Sequence, residues 1–363
     1  MSSETQPSRR CKSAWRIEPR INSFMKRSMA ALVAFAIGSS AAAAQSASAP
    51  FAGKQIRMVI AAGAGGGYDT YARYLARHLG RHIAGSPTII SQNMPGAAGM
   101  TATNWAYAVA PKDGSVILAT YNSLLAEPLY GNSTARFDPR KFESVGSISK
   151  QQNICATWHT SPIKTVAQAR TRELTVAATG ATSDSATLPK ILNAVAGTRF
   201  KVIAGYGTTE QRLAVERGEV DGVCGLSWST LKASNPDWIQ NNRLNVLAQT
   251  GAKPQADLRD VPLLTDLVPD GQDRKVIELL SFSQEVGRPF LMPPDTPPEL
   301  VTTIRRAFDA TLKDSAFLAE AEKALLEVDP VSGEDMNELI RRAYATPQAL
   351  VRRAMDLIGA SAH

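Results

Sequence analysis

Short runs of β-branched residues alternate with helical patterns along most of this 363-residue chain. The first run, residues 56–60, precedes a helical pattern that continues to about residue 82. Runs at 88–90 and 116–119 follow, with a helical pattern over 100–109 between them. Strands that are separated by helices form parallel sheets, because a parallel connection needs a long crossover. The sequence therefore predicts a doubly wound α/β lobe.

The same alternation restarts after residue 150 and predicts a second lobe. Its strands and helices are predicted at 153–157, 165–171, 174–178, 186–196, 200–203, 209–217 and 220–223. A strand at 244–248 then leads the chain back toward the first lobe.

The rest of the chain is predicted to be helical. A proline-rich stretch, residues 293–298, opens a long helix toward Lys313, since proline is favoured in a first helical turn. Helices from about Ser332 and Pro347 are expected to pack against the first lobe. The fold class is α/β, with lobe 1 formed by residues 50–148 and 250–363 and lobe 2 by residues 149–249.

The first 44 residues have the composition of a secretory signal peptide. A basic stretch is followed by an apolar run from Met29 to Ile37 and by small residues through Ala44. The apolar run is too short to span a bilayer, so cleavage before Gln45 and a soluble periplasmic product are predicted. Met25 is an alternative start, because it would give the signal a shorter basic region.

The charge of the chain lies mainly in this segment. Residues 1–44 hold seven Lys and Arg against two Asp and Glu, which leaves 33 basic and 31 acidic residues in the remainder. Without a basic run interleaved with aromatic residues, nucleic-acid binding is not expected. Two cysteines remain after cleavage, Cys155 and Cys224, and either a disulfide or two separate buried thiols fit their apolar surroundings.

A glycine-rich turn over residues 61–69 lies between the first strand and its helix. Free N–H groups at a helix start favour an anion, and glycine lets the backbone approach it closely. A dinucleotide fingerprint would need glycine where Tyr68 stands, and a glycine-rich turn without a ligand is the alternative. Gly66 is expected to need a positive φ or a close approach, so that valine there should abolish binding. The ligand-binding residues predicted in this turn are Gly65, Gly66, Gly67, Tyr68 and Asp69.

A second turn, residues 179–185, also lies between a strand and a helix. Its hydroxyl groups fit helix capping or ligand contact. Ligands bind beyond the carboxyl ends of strands in open α/β sheets, so two facing lobes would bring both turns to one cleft. The residues predicted to bind the ligand here are Thr182, Ser183, Asp184 and Ser185.

Catalytic and metal constellations have little support in the sequence. Residues 225–229 resemble a nucleophile elbow, but Ser229 stands where the second glycine belongs. His78 and His82 have a spacing that can bind metal, but no nearby cysteine or acidic cluster completes a ligand set. No metal, cofactor or enzymatic activity is therefore predicted.

Several segments in this order resemble the extracytoplasmic receptors of tripartite tricarboxylate transporters, the Bordetella-type uptake receptors. The resemblance covers nearly all of the chain after the signal segment. It rests on residues 56–69, 93–99, 110–114, 217–222 and 297–300. This chain departs from the family pattern at two positions. Ala186 stands where the family commonly has a histidine, and Tyr68 stands where the family more commonly has a small residue.

The resemblance implies the two-lobed fold of type II periplasmic binding proteins and a small carboxylate ligand. By position, the turn Gly65 to Asp69 would face one end of the ligand, and Thr182 to Ser185 would hold a carboxylate on backbone N–H groups. Asn122 and Tyr206 would line the cleft, and hinge strands would lie near 146–152 and 246–250. Because that histidine is absent, the resemblance also admits a less polar, aromatic acid as the ligand.

The expected function is uptake by a monomer that binds a small carboxylate, closes, and is recognised by membrane transporter subunits. One alternative is a receptor that presents its ligand to a sensor kinase. Another is an exported hydrolase that uses Ser183 or Ser227 as nucleophile with Asp69 as partner, although no histidine completes a triad.

Overall fold

The computed structural model describes residues 50–180, 183–251, 253–268 and 272–358. The signal peptide predicted over residues 1–44 lies outside the described residues. Among the residues that are described, no helix combines the length and apolar character that a membrane crossing requires.

The first sheet has six strands in the order β11-β4-β10-β3-β1-β2. Their bounds are β1 Gln55–Ile60, β2 Thr88–Asn93, β3 Val116–Ala119, β4 Glu143–Ser147, β10 Pro289–Met292 and β11 Val331–Ser332. Helices before and after these strands are α1 Gly67–Leu79, α2 Met100–Ala108, α10 Pro298–Thr311, α11 Ser315–Lys323 and α12 Gly333–Tyr344. Short 3₁₀ helices follow α1 and β3.

The second sheet has five strands in the order β7-β6-β8-β5-β9. They are β5 Asn153–Trp158, β6 Leu174–Ala178, β7 Phe200–Ala204, β8 Gly222–Ser227 and β9 Leu244–Gln249. The helices between them are α3 Val166–Thr171, α4 Asp184–Ala196, α5 Thr208–Glu216, α6 Trp228–Ser234 and α7 Pro236–Gln240. Three further helices, α8 Gln272–Leu280, α9 Phe282–Val286 and α13 Gln348–Ile358, complete the described chain.

Three strands, β5, β10 and β11, run antiparallel to the other strands of their sheets, and β11 does so through its pairing with β4. β2, β1 and β3 are parallel to one another, as are β7, β6 and β8, but β10 is antiparallel to β3 and β4. β5 is likewise antiparallel to β8 and β9. The prediction of a parallel sheet is therefore wrong for β5, whereas β10 and β11 were not predicted as strands. β5 and β10 each follow a passage between the sheets, where no helical crossover sets the strand direction.

The central strands of the first sheet are covered on both faces. Val59 and Leu118 point into a core that includes α2 and α12, whereas Met58 and Ile117 point into a core that includes α1 and α10. Burial on both faces explains why these strands are continuous apolar runs rather than alternating ones. The burial fixes the carboxyl ends of β1 and β3, from which the candidate site is built.

The chain passes between the sheets in the segment from β4 to β5 and again after β9. These segments coincide with the hinge positions expected near 146–152 and 246–250, and bending there stays a prediction.

The two C-terminal helices pack in different places. α12 packs on β4 of the first sheet, whereas α13 packs on α4 and α8, and its residue Ile358 belongs to the core of the second sheet. The predicted lobe limits at 148/149 and 249/250 likewise stay predictions.

Cys155 and Cys224 form a disulfide. They are direct cross-strand partners in the β5–β8 pair, and both are fully buried. Of the two possibilities that the sequence left open, the structure has the bonded pair, which ties the antiparallel strand to the parallel part of the second sheet.

Candidate functional site

The glycine-rich turn after β1 is held in shape by Asp69. This carboxylate is 4% exposed, and it accepts hydrogen bonds from Gly65 N at 2.9 Å, Asn93 Nδ2 at 2.8 Å and Arg73 Nε at 2.9 Å. Burial alone would raise the pKa of the Asp69 carboxyl, but these hydrogen bonds outweigh burial and lower it. Asp69 is therefore an ionised residue that closes the turn.

The backbone conformation of this turn requires glycine at position 65 and not at position 66. Gly65 has φ +81°, whereas Gly66 has φ −81° and is the N-cap residue of α1. The nearest described atom to a Cβ at position 66 would be Gly63 O, at 3.8 Å. The expectation that Gly66 needs a positive φ is therefore wrong, because the extended backbone of an N-cap is open to any residue.

The hydroxyl-rich turn after β6 leads into α4. Thr182 lies outside the described residues. Ser183 is the N-cap of α4 by backbone conformation, but its Oγ donates to Gly180 O at 2.7 Å and caps no helix N–H. Ser185 Oγ accepts a hydrogen bond from Thr179 N at 3.0 Å. These hydroxyls fix the turn to itself and leave the first N–H groups of α4 without a side-chain cap.

Asp184 is the first residue of α4. Its Oδ2 accepts from Asn153 Nδ2 at 2.8 Å, and the Gln284 side chain also hydrogen-bonds to it. Burial raises the pKa of the Asp184 carboxyl more than these two hydrogen bonds lower it. The start of α4 therefore holds a carboxyl group that keeps its proton to a higher pH than an exposed aspartate does.

The two turns line one cavity of about 860 Å³. This cavity, called the cleft below, is lined by residues of both sheets. The predicted residues that line it are Gly65, Gly66, Gly67, Tyr68, Asn122, Ser183, Asp184, Ser185 and Tyr206. Asp69 is not among the lining residues, because its carboxylate is directed into the turn.

Tyr68 connects the first turn to the segment between the sheets. Its hydroxyl donates to Gln151 Oε1 at 3.1 Å and accepts from Asn122 N at 3.3 Å, and its ring meets Tyr121 edge-on at 4.6 Å between centroids. Burial raises the pKa of the Tyr68 phenol well above its ordinary value. Tyr68 therefore remains a neutral hydrogen-bonding group at the base of the cleft.

Asn122 uses much of its side chain within the protein. Its Nδ2 donates to Ser283 O at 2.7 Å and to Gln151 Oε1 at 3.2 Å, and its Oδ1 accepts from Ser123 N at 2.8 Å. Tyr206 contributes a partly exposed ring from the loop after β7, where its N donates to Ala178 O at 3.1 Å. Asn122 thus stiffens the floor of the cleft, while Tyr206 forms part of its second-lobe wall.

The rival catalytic arrangement does not assemble in the described part of the chain. Ser227 Oγ lies near Ser229 Oγ, at 3.1 Å, and Ser183 Oγ bonds within its own turn, so neither hydroxyl contacts Asp69 or a histidine. Ser227 ends β8 with an extended backbone and caps α6, unlike the strained turn of a nucleophile elbow.

The two helical histidines bind acids instead of one another. His78 contacts Glu320, and His82 Nε2 lies 3.0 Å from Asp314 Oδ2. The described residues contain no group of three or more His, Cys, Asp or Glu side chains that could hold a metal ion.

The family model for the tripartite tricarboxylate transporter family receptor matches residues 71–355. The chain belongs to this receptor family. The match covers most of the receptor beyond its predicted signal peptide, and it includes the cleft-lining residues that follow position 70.

Two curated relatives are similar to the receptor. A UPF0065 protein of Bordetella bronchiseptica is 28% identical over 273 residues, which cover 73% of this chain and 75% of that protein. A UPF0065 protein in the gbd 5' region of Cupriavidus necator is 27% identical over 294 residues, which cover 73% of this chain and 85% of that protein.

Solved structures support the two-lobed fold. The periplasmic binding protein BugD matches with a TM-score of 0.64 and 20% identity, covering 85% of the receptor and 98% of BugD. Rpa4515 of R. palustris, solved with adipate, matches with a TM-score of 0.65 and 20% identity over 84% and 97% of the two chains. MatC of Rhodopseudomonas palustris, solved with malate, matches with a TM-score of 0.61 and 17% identity over 84% and 99%. The predicted two-lobed α/β binding-protein fold is confirmed.

Several residues that line the receptor's cleft were not predicted from the sequence, among them Arg288, Thr230 and Gly225. Arg288 and Thr230 line the cleft from the two sheets, and Gly225 lies where β8 passes the start of α4. Arg288 and Thr230 belong to no recognisable motif, and Gly225 was noted only as part of the segment that resembles a nucleophile elbow. A Gly-Arg-Pro sequence before a buried strand was the sole local signal for Arg288.

Proposed function

We propose that this receptor captures a small carboxylate in the periplasm and delivers it to the membrane subunits of a tripartite tricarboxylate-type transporter. The observation that carries the proposal is the cleft, into which one turn from each sheet presents the start of a helix. Such starts offer free backbone N–H groups and a partial positive charge to an anion. Family membership supports a binding role rather than catalysis, and we propose that the receptor works as a monomer after its signal peptide is removed.

Dicarboxylates are the first class of ligand to consider. Two proteins of similar fold were solved with adipate and malate, both of which carry a carboxylate at each end. A cleft of about 860 Å³ lies within the range of small-molecule sites, so it accommodates acids of this size or a small aromatic acid. We propose that one carboxylate binds at each turn, so that the ligand bridges the two lobes and stabilises their closed arrangement.

A thermal-unfolding panel tests this function on residues 45–363. The acids to compare are adipate, malate, citrate, benzoate, nicotinate and glutamate, with glucose as a neutral control. A ligand that binds the native state stabilises it by about 2.7 kcal/mol at a hundredfold excess over Kd, which shifts the melting temperature by a few degrees. We expect such a shift with at least one acid and none with glucose, whereas no shift with any acid would reject the proposal.

Valine substitutions at Gly65 and Gly66 separate the shape of the first turn from its contact with the ligand. At Gly66 the backbone tolerates valine, so we expect unfolding free energy to change by less than about 0.5 kcal/mol. The new side chain stands in the cleft wall, so affinity for the stabilising acid should fall more than about a hundredfold, equivalent to about 2.7 kcal/mol. Calorimetric titration and urea unfolding measure the two quantities.

At Gly65 the same substitution is expected to lower stability as well. A φ of +81° costs an L-residue about 1–2 kcal/mol, and β-branching adds to this cost. Full binding by the Gly66→Val variant would remove this turn from the site, and equal stability of both variants would contradict the assigned backbone roles.

A further inference from the structure

Arg288 is a buried cation at the junction of the two sheets. It immediately precedes β10 and is 3% exposed. Its backbone N donates to Ser147 Oγ at 2.8 Å and to Ser149 O at 3.2 Å, so its main chain is fixed to the edge of β4. The side chain therefore starts from a rigid point in the first sheet and lines the cleft.

The Arg288 guanidinium lies between residues of both lobes. Its Cζ lies 4.1 Å from the centroid of the Tyr71 ring and 5.8 Å from that of Tyr68. Its Nη2 donates to Thr230 Oγ1 at 2.8 Å and lies 3.5 Å from Ser227 Oγ, and both of these residues belong to the second lobe. The aromatic ring and the two hydroxyls orient the guanidinium but carry no negative charge.

Most of the donors on this guanidinium lack an acceptor. Within the described residues, Arg288 Nε and Nη1 have no hydrogen-bond partner. These atoms carry three N–H groups in all, one on Nε and two on Nη1. Removing a cation from water without a counter-charge costs several kcal/mol. A charged hydrogen-bond donor that has no acceptor adds to that cost. A buried, oriented and unpaired guanidinium beside a cleft is the arrangement that an anionic ligand would complete.

We propose that Arg288 is the charged anchor for one carboxylate of the ligand. The carboxylate accepts from the free N–H groups on Nε and Nη1, while Nη2 keeps its bond to Thr230. Arginine suits this role because it stays protonated and forms strong charge-assisted hydrogen bonds to carboxylates. This inference rests on the proposed function and adds a specific requirement to it: the ligand must carry a carboxylate at the end that faces Arg288. Acids with a carboxylate at each end then bind more tightly than their monoamides.

Substituting Arg288 with glutamine tests the anchor in the full mature chain. The probes are adipate, malate and the monoamide of each, measured by calorimetric titration. The wild type should bind the better diacid at least about thirtyfold more tightly than its monoamide, the effect expected for one charged hydrogen-bonding partner. Arg288→Gln should weaken the binding of the diacid about a hundredfold and that of the monoamide by a similar factor, because the monoamide places its one carboxylate at Arg288. Arg288→Lys should restore part of this affinity, because it keeps the charge with different donors.

Arg305→Gln provides the matched control. Arg305 is another arginine of the first lobe, but it binds Ser144 O at 2.7 Å and Glu334 Oε1 at 3.0 Å and does not line the cleft. We expect its diacid affinity and diacid-to-monoamide ratio to match those of the wild type. The melting temperature of unliganded Arg288→Gln should not fall, since the substitution removes an unpaired buried charge.

The outcomes separate the anchor from the proposed function. If the wild type binds a diacid and Arg288→Gln binds it equally well, the anchor is wrong while the receptor function stands. If Arg288→Gln loses diacid and monoamide affinity but also melts earlier, Arg288 has a merely structural role. If the wild type binds neither diacid nor monoamide, both the anchor and the proposed dicarboxylate specificity are overturned.

Discussion

Replacing Cys155 and Cys224 with alanine is expected to lower the free energy of unfolding by about 4 kcal/mol. The disulfide links residues 69 positions apart, and closing a loop of that length restricts the unfolded chain by roughly this amount. Urea unfolding followed by tryptophan fluorescence measures the effect, because Trp158, Trp228 and Trp238 all lie in the second lobe.

Reduction provides the control for this prediction. Wild-type protein unfolded and refolded with a thiol reductant should match the double alanine variant, and the variant should not respond to reductant. Two titratable thiols in unfolded, unreduced protein that has been exported to the periplasm would contradict the disulfide. Neither cysteine lines the cleft, so the variant should still bind the stabilising acid when folded.

Gly225→Ala is expected to lower the free energy of unfolding by about 3 kcal/mol and to abolish ligand binding. Gly225 has φ +71°, and a Cβ there would lie 2.4 Å from Asp184 C and Ser185 N. Those atoms are backbone, so the start of α4 must move, and the cost adds steric overlap to the strain of a left-handed residue. Asp184 and Ser185 line the cleft, so the same movement distorts the site.

Gly197→Ala separates the two causes. Gly197 follows α4 with a similar φ of +67°, but a Cβ there would meet no atom of the described residues within 4 Å. This variant should lose only about 1 kcal/mol, the cost of the left-handed backbone, and should bind normally. Equal stability losses in the two variants, or intact binding by Gly225→Ala, would contradict the close packing of β8 against α4.

Local patterns predicted most helices and strands because each element has its own periodicity. The run Val116–Ala119 became β3 as predicted, and the hydroxyl-rich turn became the start of α4. Strand direction carries no such local signal, which is why the antiparallel course of β5 was missed. β10 escaped prediction because a four-residue buried strand that begins with proline gives no alternating pattern.

Local patterns predicted the location of the site but not its detailed contacts. Both turns could be located from glycine and hydroxyl residues at strand ends, and they do line one cleft. Which glycine adopts a positive φ depends on the bond from Gly65 N to Asp69, and this depends in turn on Arg73 and Asn93. The position of Arg288 is set by Tyr71 and Thr230, which lie more than 50 residues away in sequence. Contacts between residues this far apart in sequence leave no local pattern, so they are found only in the folded structure.

A crystal structure of the mature receptor with the acid that gives the largest thermal shift tests the central claim most directly. We predict ligand density in the cleft, with one carboxylate at the Gly65–Tyr68 turn beside Arg288 and the other end at the Ser183–Ser185 turn. An acid bound outside this cleft, or held by one lobe with both turns unoccupied, would contradict the account.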